Sequence, residues 1–267
     1  MKQATQLLLL LALGGCASKD FTLETDLPAN FKITALARYE PAPGTECALF
    51  RATRGPTEYP HKSSDFTDRP QHLSFQIPVS QRVSGCPLAL MSVSFVVRGR
   101  WGYLRQGGYW VQQDGTGAGG LSVLDQLPEQ ITGMPTSGVK QFDGQCRWLF
   151  RTSGAKRQLI KILDCRAVDE HGQWLKHMPG GAVQREQVVG KTVRLVIEMS
   201  PDELPAVGDN WIRFPSGWKR CLGKGLADPY GFCFGNTSDF STYTAPDGRT
   251  CTIYPNCTEQ GASHDKL

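Results

Sequence analysis

The chain has 267 residues, with 29 Lys and Arg against 25 Asp and Glu, which gives a formal net charge of +4. Hydrophobic residues make up 40% and charged residues 20%, as in a folded globular protein of one large or two ordinary domains. Lysine and arginine form no dense block, so the sequence lacks the basic cluster typical of nucleic-acid-binding proteins.

The N-terminus has the pattern of an export signal. Lys2 provides a positive charge, the run Leu7 to Leu13 is apolar, and Gly14 and Gly15 are the small residues typical of a cleavage site. The apolar run is too short for a transmembrane helix, which needs about 20 residues. A buried core helix is the alternative, but the run has no capping residue and ends in glycines. Residues 1–15 are therefore predicted to be a signal peptide.

The sequence Leu13-Gly14-Gly15-Cys16 resembles the lipobox of bacterial lipoproteins. The resemblance implies cleavage before Cys16, acylation of this cysteine and a mature chain that begins there. Several acyl chains hold a protein to a membrane almost irreversibly. Ala17 and Ser18 lack the aspartate that retains enterobacterial lipoproteins at the inner membrane, so the expected location is the outer membrane, facing the periplasm. Residues 16–30 are polar and are predicted to form a lipidated tether.

Eight further cysteines are predicted to form four disulfides, because an even number in an oxidising compartment indicates pairing. They are Cys47, Cys86, Cys146, Cys165, Cys221, Cys233, Cys251 and Cys257. A zinc site is the alternative, but no pair has the Cys-x-x-Cys spacing that suits one tetrahedral ion.

Residues 31–131 are predicted to form a first small immunoglobulin-like β-sandwich. Alternating or continuous apolar residues indicate strands at Phe31–Tyr39, Cys47–Arg51, His72–Val79, Leu88–Arg98 and Tyr109–Val111. The Val-rich fourth of these is expected to be a central strand covered on both faces. Gly55–Gln71 is interpreted as a long connector and Asp114–Gly120 as a flexible run. A short helix is expected near Ser122, where the sequence resembles a capping box.

Residues 138–217 are predicted to form a second sandwich, after a boundary at Thr132–Ser137. A hairpin centred between Ala155 and Lys156 places Cys146 directly opposite Cys165, at a separation that a disulfide spans. Further strands are predicted at Lys191–Met199 and Asn210–Phe214.

The two halves resemble each other, which suggests an internal duplication. Leu49-Phe50-Arg51 recurs as Leu149-Phe150-Arg151, and the strand at Ser92–Val97 recurs at Thr192–Ile197. Order, spacing and cysteine placement favour duplication over chance similarity among strands. If the halves are duplicated, Cys47 pairs with Cys86 as Cys146 pairs with Cys165.

Residues 218–267 form a Cys-rich C-terminal segment with few aliphatic residues. A hairpin is predicted around Ala245–Gly248 from its Pro and Asp-Gly turn residues. The four cysteines of this segment are expected to pair among themselves, and the sequence leaves their three pairings open.

No pattern of catalytic residues stands out, so the sequence predicts neither an enzyme nor a cofactor. Gly115–Gly120 has the spacing of a dinucleotide-binding loop, but it lacks the strand–turn–helix setting which that motif requires. His171 and His177 lie near Asp169 and Glu170, but in a polar loop without metal-ligand spacing. No metal ligand or catalytic residue is therefore assigned.

Two loops and one aromatic group are the candidates for partner binding, since loops on rigid sandwiches often carry recognition. The loops are Gly55–Gln71 and Asp169–Gln187, and the residues chosen in them are Tyr59, His61, Asp65, Phe66, His171, Trp174 and His177. The aromatic group comprises Trp101, Tyr103, Tyr109 and Trp110, with Trp211, Phe214 and Trp218 in the second half. These aromatic residues are expected to pack in the core. If they are exposed instead, they resemble the aromatic residues that dominate protein–protein interfaces.

An anchored, disulfide-rich, all-β chain without catalytic motifs indicates a binding protein. The overall plan resembles the periplasmic immunity lipoproteins that bacteria pair with type VI secretion toxins, including phospholipases. This resemblance implies one tight protein partner and no nucleotide. The alternatives are a structural or assembly lipoprotein of the envelope and an envelope hydrolase with an unrecognised site.

Overall fold

The structure, a computed structural model, describes residues 19–45, 47, 57–207, 210–222, 233 and 238–258. The predicted signal peptide, Cys16, and the strand expected at Cys47–Arg51 except for Cys47 itself lie outside these residues. The described chain is nearly all β, which confirms the predicted class. Within it, no helix has the length and apolar composition to cross a membrane.

The strands are β1 (Asp20–Leu27), β2 (Phe31–Pro41), β3 (Thr57–Ser63), β4 (Gln71–Pro78), β5 (Ser80–Val83), β6 (Cys86–Gln106), β7 (Tyr109–Leu124), β8 (Val139–Ser153) and β9 (Gln158–Ala167). They continue with β10 (Gly180–Gln184), β11 (Thr192–Met199), β12 (Leu204–Pro205), β13 (Trp211–Phe214), β14 (Gly217–Cys221), β15 (Phe240–Ser241), β16 (Tyr243–Thr244) and β17 (Thr250–Cys251). A single helical turn, α1 (Arg185–Val188), follows β10.

The described strands form two large sheets and a small one. The first sheet has the order β17-β16-β9-β8-β11-β1-β4, with β12 beside β8, and the second has the order β10-β7-β6-β2-β3, with β5 beside β6. The third sheet is β13-β14-β15. One apolar core contains side chains of both large sheets, such as Leu23 and Leu195 from the first and Ile33 and Phe95 from the second. The two large sheets therefore form one sandwich.

This arrangement corrects the predicted division into two sandwiches at 31–131 and 138–217. Strand β1 pairs in parallel with β11 of the second half and antiparallel with β4 of the first half. Strand β10 of the second half pairs with β7 of the first half. The two halves therefore share both large sheets. The prediction missed this because the alternation of apolar residues within each half does not reveal the pairings of β1 and β10 with strands of the other half.

The internal duplication is also contradicted by the one matched pair of segments that the structure describes on both sides, since Leu49–Arg51 lies outside the described residues. Ser92–Val97 lies in β6 between antiparallel neighbours β2 and β7, whereas Thr192–Ile197 lies in β11 between parallel neighbours β1 and β8. Chance similarity among alternating strands, the alternative, explains the sequence match.

The lipidated tether predicted at 16–30 ends earlier than expected. Strand β1 begins at Asp20 and buries Phe21, Leu23 and Leu27 in the core. Polar residues alternate with these apolar ones because the other face of β1 is turned to solvent, which gave the segment a polar appearance. Of the predicted tether, only residues 16–19 precede the first strand.

Four further local predictions were wrong. Residues 57–63 form the edge strand β3 inside the predicted connector, and both the flexible run at Asp114–Gly120 and the helix near Ser122 belong to the long strand β7. Strand β6 is covered on both faces only near Ala89, where three successive residues are buried; further along it is buried on one face, since Val93 and Phe95 are buried while Ser94 is exposed. The glycines of β7 misled the prediction because they serve close packing: a Cβ at Gly115 would lie 2.6 Å from the ring of Trp148, and one at Gly117 would lie 2.5 Å from Cys165 Sγ.

The disulfides agree with the pairs expected from the sequence. Cys146 lies directly opposite Cys165 in the β8–β9 hairpin, with a Cα–Cα distance of 4.0 Å, and Cys47 pairs with Cys86 at 5.7 Å. The C-terminal pairs, which the sequence left open, are Cys221–Cys233 and Cys251–Cys257. The predicted hairpin at Ala245–Gly248 joins β16 to β17.

The C-terminal segment packs around its own small core beside the sandwich. Phe150 of β8 lies at the centre, with ring-centroid distances of 5.0 Å to Trp211 and 4.3 Å to Tyr254. Tyr243 also belongs to this core, and Trp218 packs against it. The remaining members are Leu159, Ala245, Cys251 and Cys257. Trp211 and Trp218 therefore have the packing role expected for aromatic residues of the second half, and Phe214 packs against Phe240 at 5.4 Å.

The main core contains a buried hydroxyl, that of Thr25, whose removal is expected to stabilise the protein. Thr25 of β1 is fully buried, and its hydroxyl has no hydrogen-bond partner in the structure. A buried hydroxyl without a partner costs about 1 kcal/mol or more. We therefore expect Thr25→Val to raise the free energy of unfolding by about 1 kcal/mol in urea denaturation.

Thr22 provides the matched control on the same strand, because its hydroxyl accepts a hydrogen bond from Gln76 Nε2 at 3.0 Å on the solvent-facing side. Thr22→Val should bring no comparable gain. A loss of stability in Thr25→Val would show that the Thr25 hydroxyl does have a partner in the folded protein.

Candidate interaction site

The two most exposed large apolar side chains of the described residues, Tyr109 and Trp110, lie at the end of the β6–β7 hairpin, and Tyr103 and Val111 are exposed beside them. Tyr109 is 78% exposed, Trp110 59%, Tyr103 47% and Val111 40%. We call these four residues the aromatic tip. Core packing was the expected role of the three aromatic members, and the structure corrects this expectation. Trp101, the fourth residue of the predicted group, is half-buried.

The hairpin forms because its turn and its register are well defined. Gly107 and Gly108 have φ angles of 56° and 89°, the left-handed values that a tight two-residue hairpin turn requires. The turn sets Gln106 opposite Tyr109 and Leu104 opposite Val111. Strand β2 begins at Phe31, which pairs with Gly99, so the part of the hairpin beyond Gly99 has no β2 neighbour. The aromatic tip is thus carried on a two-stranded ribbon.

Alternation along the ribbon distributes the aromatic tip over both of its faces. Tyr103 lies opposite Gln112, next to the pair Leu104–Val111. Directly opposed residues share a face and successive residues alternate. Tyr103 therefore shares one face with Trp110, and Val111 shares the other with Tyr109. On this second face Leu104, directly opposite Val111, is buried in the protein itself. Both faces are thus open together only at the outer end of the ribbon, around Tyr109 and Trp110. Tyrosine and tryptophan are also the residues most enriched among binding hot spots.

Trp101 fixes the root of the ribbon to the rest of the molecule. The register of β6 against β7 shifts between Arg100 and Gly102, so Trp101 forms a bulge. Bulges of this kind redirect a side chain without ending the pairing. Lys161 Nζ of β9 lies 6.0 Å from the centroid of the Trp101 rings.

A network of charged and hydroxyl groups lies next to this root. Lys161 Nζ is 2.7 Å from Glu203 Oε1, and the Tyr254 hydroxyl donates a hydrogen bond to Glu203 Oε2. Burial raises the pKa of the Tyr254 phenol above its ordinary range, and the charge of Glu203 raises it further. The phenol therefore stays protonated and acts as a donor. The network joins the C-terminal segment to β9 close to the hairpin root.

Basic residues and Phe66 lie at the base of the hairpin on the second sheet. Arg100 donates two hydrogen bonds to Asn30 Oδ1, and its Cζ lies 5.6 Å from the centroid of Phe66. Lys32 Nζ lies 4.8 Å from the same ring, and Arg98 is 3.9 Å from Asp114. Cation–π contacts of this kind contribute about 0.5–1 kcal/mol at exposed sites. Phe66, chosen from the sequence as a contact residue, thus lies near the hairpin base.

The other candidates from the first connector are less defined. The backbone of Tyr59, in β3, pairs with that of Ala37 in β2. The Tyr59 side chain is not among the parts of the chain that the structure describes. His61 and Asp65 are exposed, and the Asp65 carbonyl accepts a hydrogen bond from Gln71 Nε2 at 3.0 Å. Their role in binding stays a prediction.

The second predicted loop does not join the aromatic tip. Trp174 donates a hydrogen bond to Gln145 Oε1 at 2.6 Å and lies 4.0 Å from the guanidinium of Arg147, so it packs on β8 of the first sheet. His171 and His177 are exposed. The Asp169–Gln187 range also includes β10 and α1, which are part of the fold rather than a loop.

A His–Asp–Arg cluster on the first sheet is the other candidate site. His72 Nδ1 lies 2.7 Å from Asp26 Oδ1, and Arg194 lies 2.7 Å from Asp26 Oδ2. Burial alone would raise the pKa of Asp26, but the hydrogen bonds and positive charges of His72 and Arg194 outweigh it and lower this pKa. All three residues belong to adjacent strands, β4, β1 and β11, so the cluster joins strands of one sheet.

This cluster predicts a pH-dependent contribution to stability. Because the pKa of Asp26 is lower in the folded chain, its contribution is present above the pKa of the unfolded state and is lost as the pH falls through the folded-state value. We expect Asp26→Asn to lower the free energy of unfolding by about 1 kcal/mol at pH 7, in line with a partly exposed ion pair. The difference from the wild type should vanish in acid, as measured by urea denaturation at several pH values.

Asp68→Asn is the matched control. The Asp68 side chain is 87% exposed, and its ion pair with Arg69 is long, at 3.9 Å, so the pair contributes little to stability. The substitution should change stability little at any pH. A deficit of Asp26→Asn that persists unchanged in strong acid would contradict the assignment.

Comparison with known proteins gives no further guide, since no known protein family, curated protein or solved structure matches the chain significantly. Among the described residues, no group of three or more His, Cys, Asp or Glu side chains is placed to hold a metal ion. The sequence offers Tyr103, Tyr109 and Trp110 as candidates but favours core packing for them, because their exposure depends on where β2 begins, and the sequence of the hairpin does not contain that information.

Proposed function

We propose that this chain is a lipid-anchored binding protein of the bacterial envelope, facing the periplasm, which holds a protein partner through its aromatic tip. The observation that carries the proposal is the exposure of Tyr103, Tyr109, Trp110 and Val111 together on one ribbon. Large exposed apolar groups in one place are typical of interaction sites. The four disulfides support an oxidising compartment.

A secreted toxin is the first class of partner to test. The lipobox and the disulfide-rich all-β plan resemble immunity lipoproteins of type VI secretion, and such proteins bind their toxins tightly. A convex ribbon with aromatic side chains is also suited to entering an enzyme's cleft, as long protruding loops do in concave epitopes.

Site-specific photo-crosslinking in the native cell tests this proposal. A benzoylphenylalanine at position 109 or 110 should give the same single protein adduct, and mass spectrometry should identify it as a toxin. The matched control positions are Ile162 and Val139, which are 38% and 41% exposed but lie on the first sheet. The controls should give no such adduct.

Two results would contradict the proposal: no adduct at either tip position, or equal adducts at the control positions. An adduct with a component of an envelope assembly would retain the binding function but replace the toxin by a structural partner. Intact-mass analysis of the purified chain should show acylation and the loss of residues 1–15.

A further inference from the structure

We infer that the aromatic tip is held at the end of the sandwich opposite the membrane anchor, where it meets a soluble protein with a concave surface and not the anchoring bilayer. This inference rests on the proposed lipid anchor at Cys16. It adds to the proposed function the position of the site and the shape of the partner.

The N-terminal end of the described chain marks one end of the sandwich. Strand β1 starts at Asp20, and Thr22 lies beside Thr192, which in turn lies beside Val139, the first residue of β8. Because β1, β11 and β8 are parallel, the anchor side of the molecule is the end at which β8 begins.

The aromatic tip lies at the other end of β8. A Cβ at Gly115 would lie 2.9 Å from Leu163, and a Cβ at Gly117 would lie 2.5 Å from Cys165, so β7 runs alongside β9 in the same direction. Tyr109, six residues before Gly115, therefore lies near the start of β9. The start of β9 is next to the end of β8, because the two strands form a hairpin. The 15 residues of β8 span about 45 Å at about 3.3 Å per residue. The tip thus stands about 45 Å from the anchored end.

The connection to the membrane is too short to reverse this orientation. Only residues 17–19 separate Cys16 from the first residue of β1, and four residue steps reach at most about 14 Å. Strand β1 is held in the first sheet by β11 on one side and β4 on the other. A tether of 15 residues, as expected from the sequence, would have let the tip reach the bilayer.

The form of the tip determines the kind of partner. Its outer end exposes aromatic side chains on both faces of the ribbon, since Tyr109 and Trp110 are successive residues and are 78% and 59% exposed. Nearer the root, Leu104 is buried. A flat partner surface can cover only one face of such a ribbon. A cleft covers both, and clefts lined by apolar and aromatic side chains are the usual form of binding pockets.

Fluorescence quenching of the acylated mature chain in phosphatidylcholine vesicles tests the inference. The contribution of Trp110 is taken as the difference between the wild type and Trp110→Phe. Brominated acyl chains should cause no loss of this contribution, whereas aqueous acrylamide should quench it. Trp174→Phe is the control, since Trp174 is half-buried on the first sheet.

Quenching of Trp110 by brominated lipid would overturn the inference, because the tip would then lie in the anchoring bilayer. Protection of Trp110 from acrylamide that grows with protein concentration would overturn it too, by identifying a second copy as the occupant. If intact-mass analysis finds no acyl groups on the protein, the proposed lipid anchor is wrong. This failure of the proposed function is thus detected separately from the quenching result.

Discussion

Phe150→Ala is expected to lower the free energy of unfolding by about 3–5 kcal/mol, the usual cost of emptying a buried phenylalanine site. Phe150 is fully buried on β8, and its ring contacts Trp211, Trp218 and Tyr254. The Cys-rich segment has few aliphatic residues, so this aromatic cluster supplies much of its apolar contact with the sandwich. Urea denaturation followed by tryptophan fluorescence measures the loss.

Ile162→Ala is the control for this prediction, since Ile162 lies on the neighbouring strand β9 and is 38% exposed. Its effect should stay within about 1 kcal/mol, as for most partly exposed positions. Limited proteolysis should also cut Phe150→Ala first within residues 218–258. A stability loss no larger than that of the control would mean that the C-terminal segment is held by its disulfides and the Lys161–Glu203–Tyr254 network alone.

Sequence reasoning succeeded where the pairing is local. The β8–β9 hairpin has its turn, its alternation and its two cysteines within twenty residues, and the symmetry of the hairpin alone sets Cys146 opposite Cys165. The all-β class likewise follows from alternation within single strands. Both predictions depend on contacts between residues that are close along the chain.

Sequence reasoning failed where strands far apart in the chain pair with each other. Strand β1 pairs with β11, whose residues lie about 170 positions further on, and this pairing gives no local signal. The glycines of β7 indicate a loop by composition, but Gly115 and Gly117 let the strand lie close against Trp148 and Cys165. The pairing of Cys47 with Cys86 agreed with the expectation, although the duplication that suggested it was wrong.

The candidate site was only half predictable for the same reason. The sequence brings Tyr103, Tyr109 and Trp110 together on a hairpin, which local turn residues define. Whether that hairpin is covered depends on the start of β2 at Phe31 and on the lengths of distant strands. Burial was the more common outcome for such residues and was therefore expected.

Replacing both Tyr109 and Trp110 by alanine is expected to weaken binding of the partner by about 100-fold or more. Hot-spot residues each contribute about 2 kcal/mol or more, which corresponds to about 30-fold in affinity. The same substitutions should leave the free energy of unfolding within about 1 kcal/mol of the wild type, because both side chains are exposed. Titration calorimetry with the protein identified by crosslinking, together with urea denaturation, measures both effects.

Ile162→Ala and Val139→Ala are the matched controls for binding, as both remove exposed apolar side chains from the first sheet. They should leave the affinity unchanged. Equal losses in the controls would indicate nonspecific apolar contact, and an unchanged affinity in the tip variant would place the interface elsewhere on the molecule. A loss in the tip variant accompanied by unfolding would instead assign Tyr109 and Trp110 a structural role. Only weakened binding at full stability fits a ribbon whose aromatic side chains are exposed in the free protein and become buried in the partner.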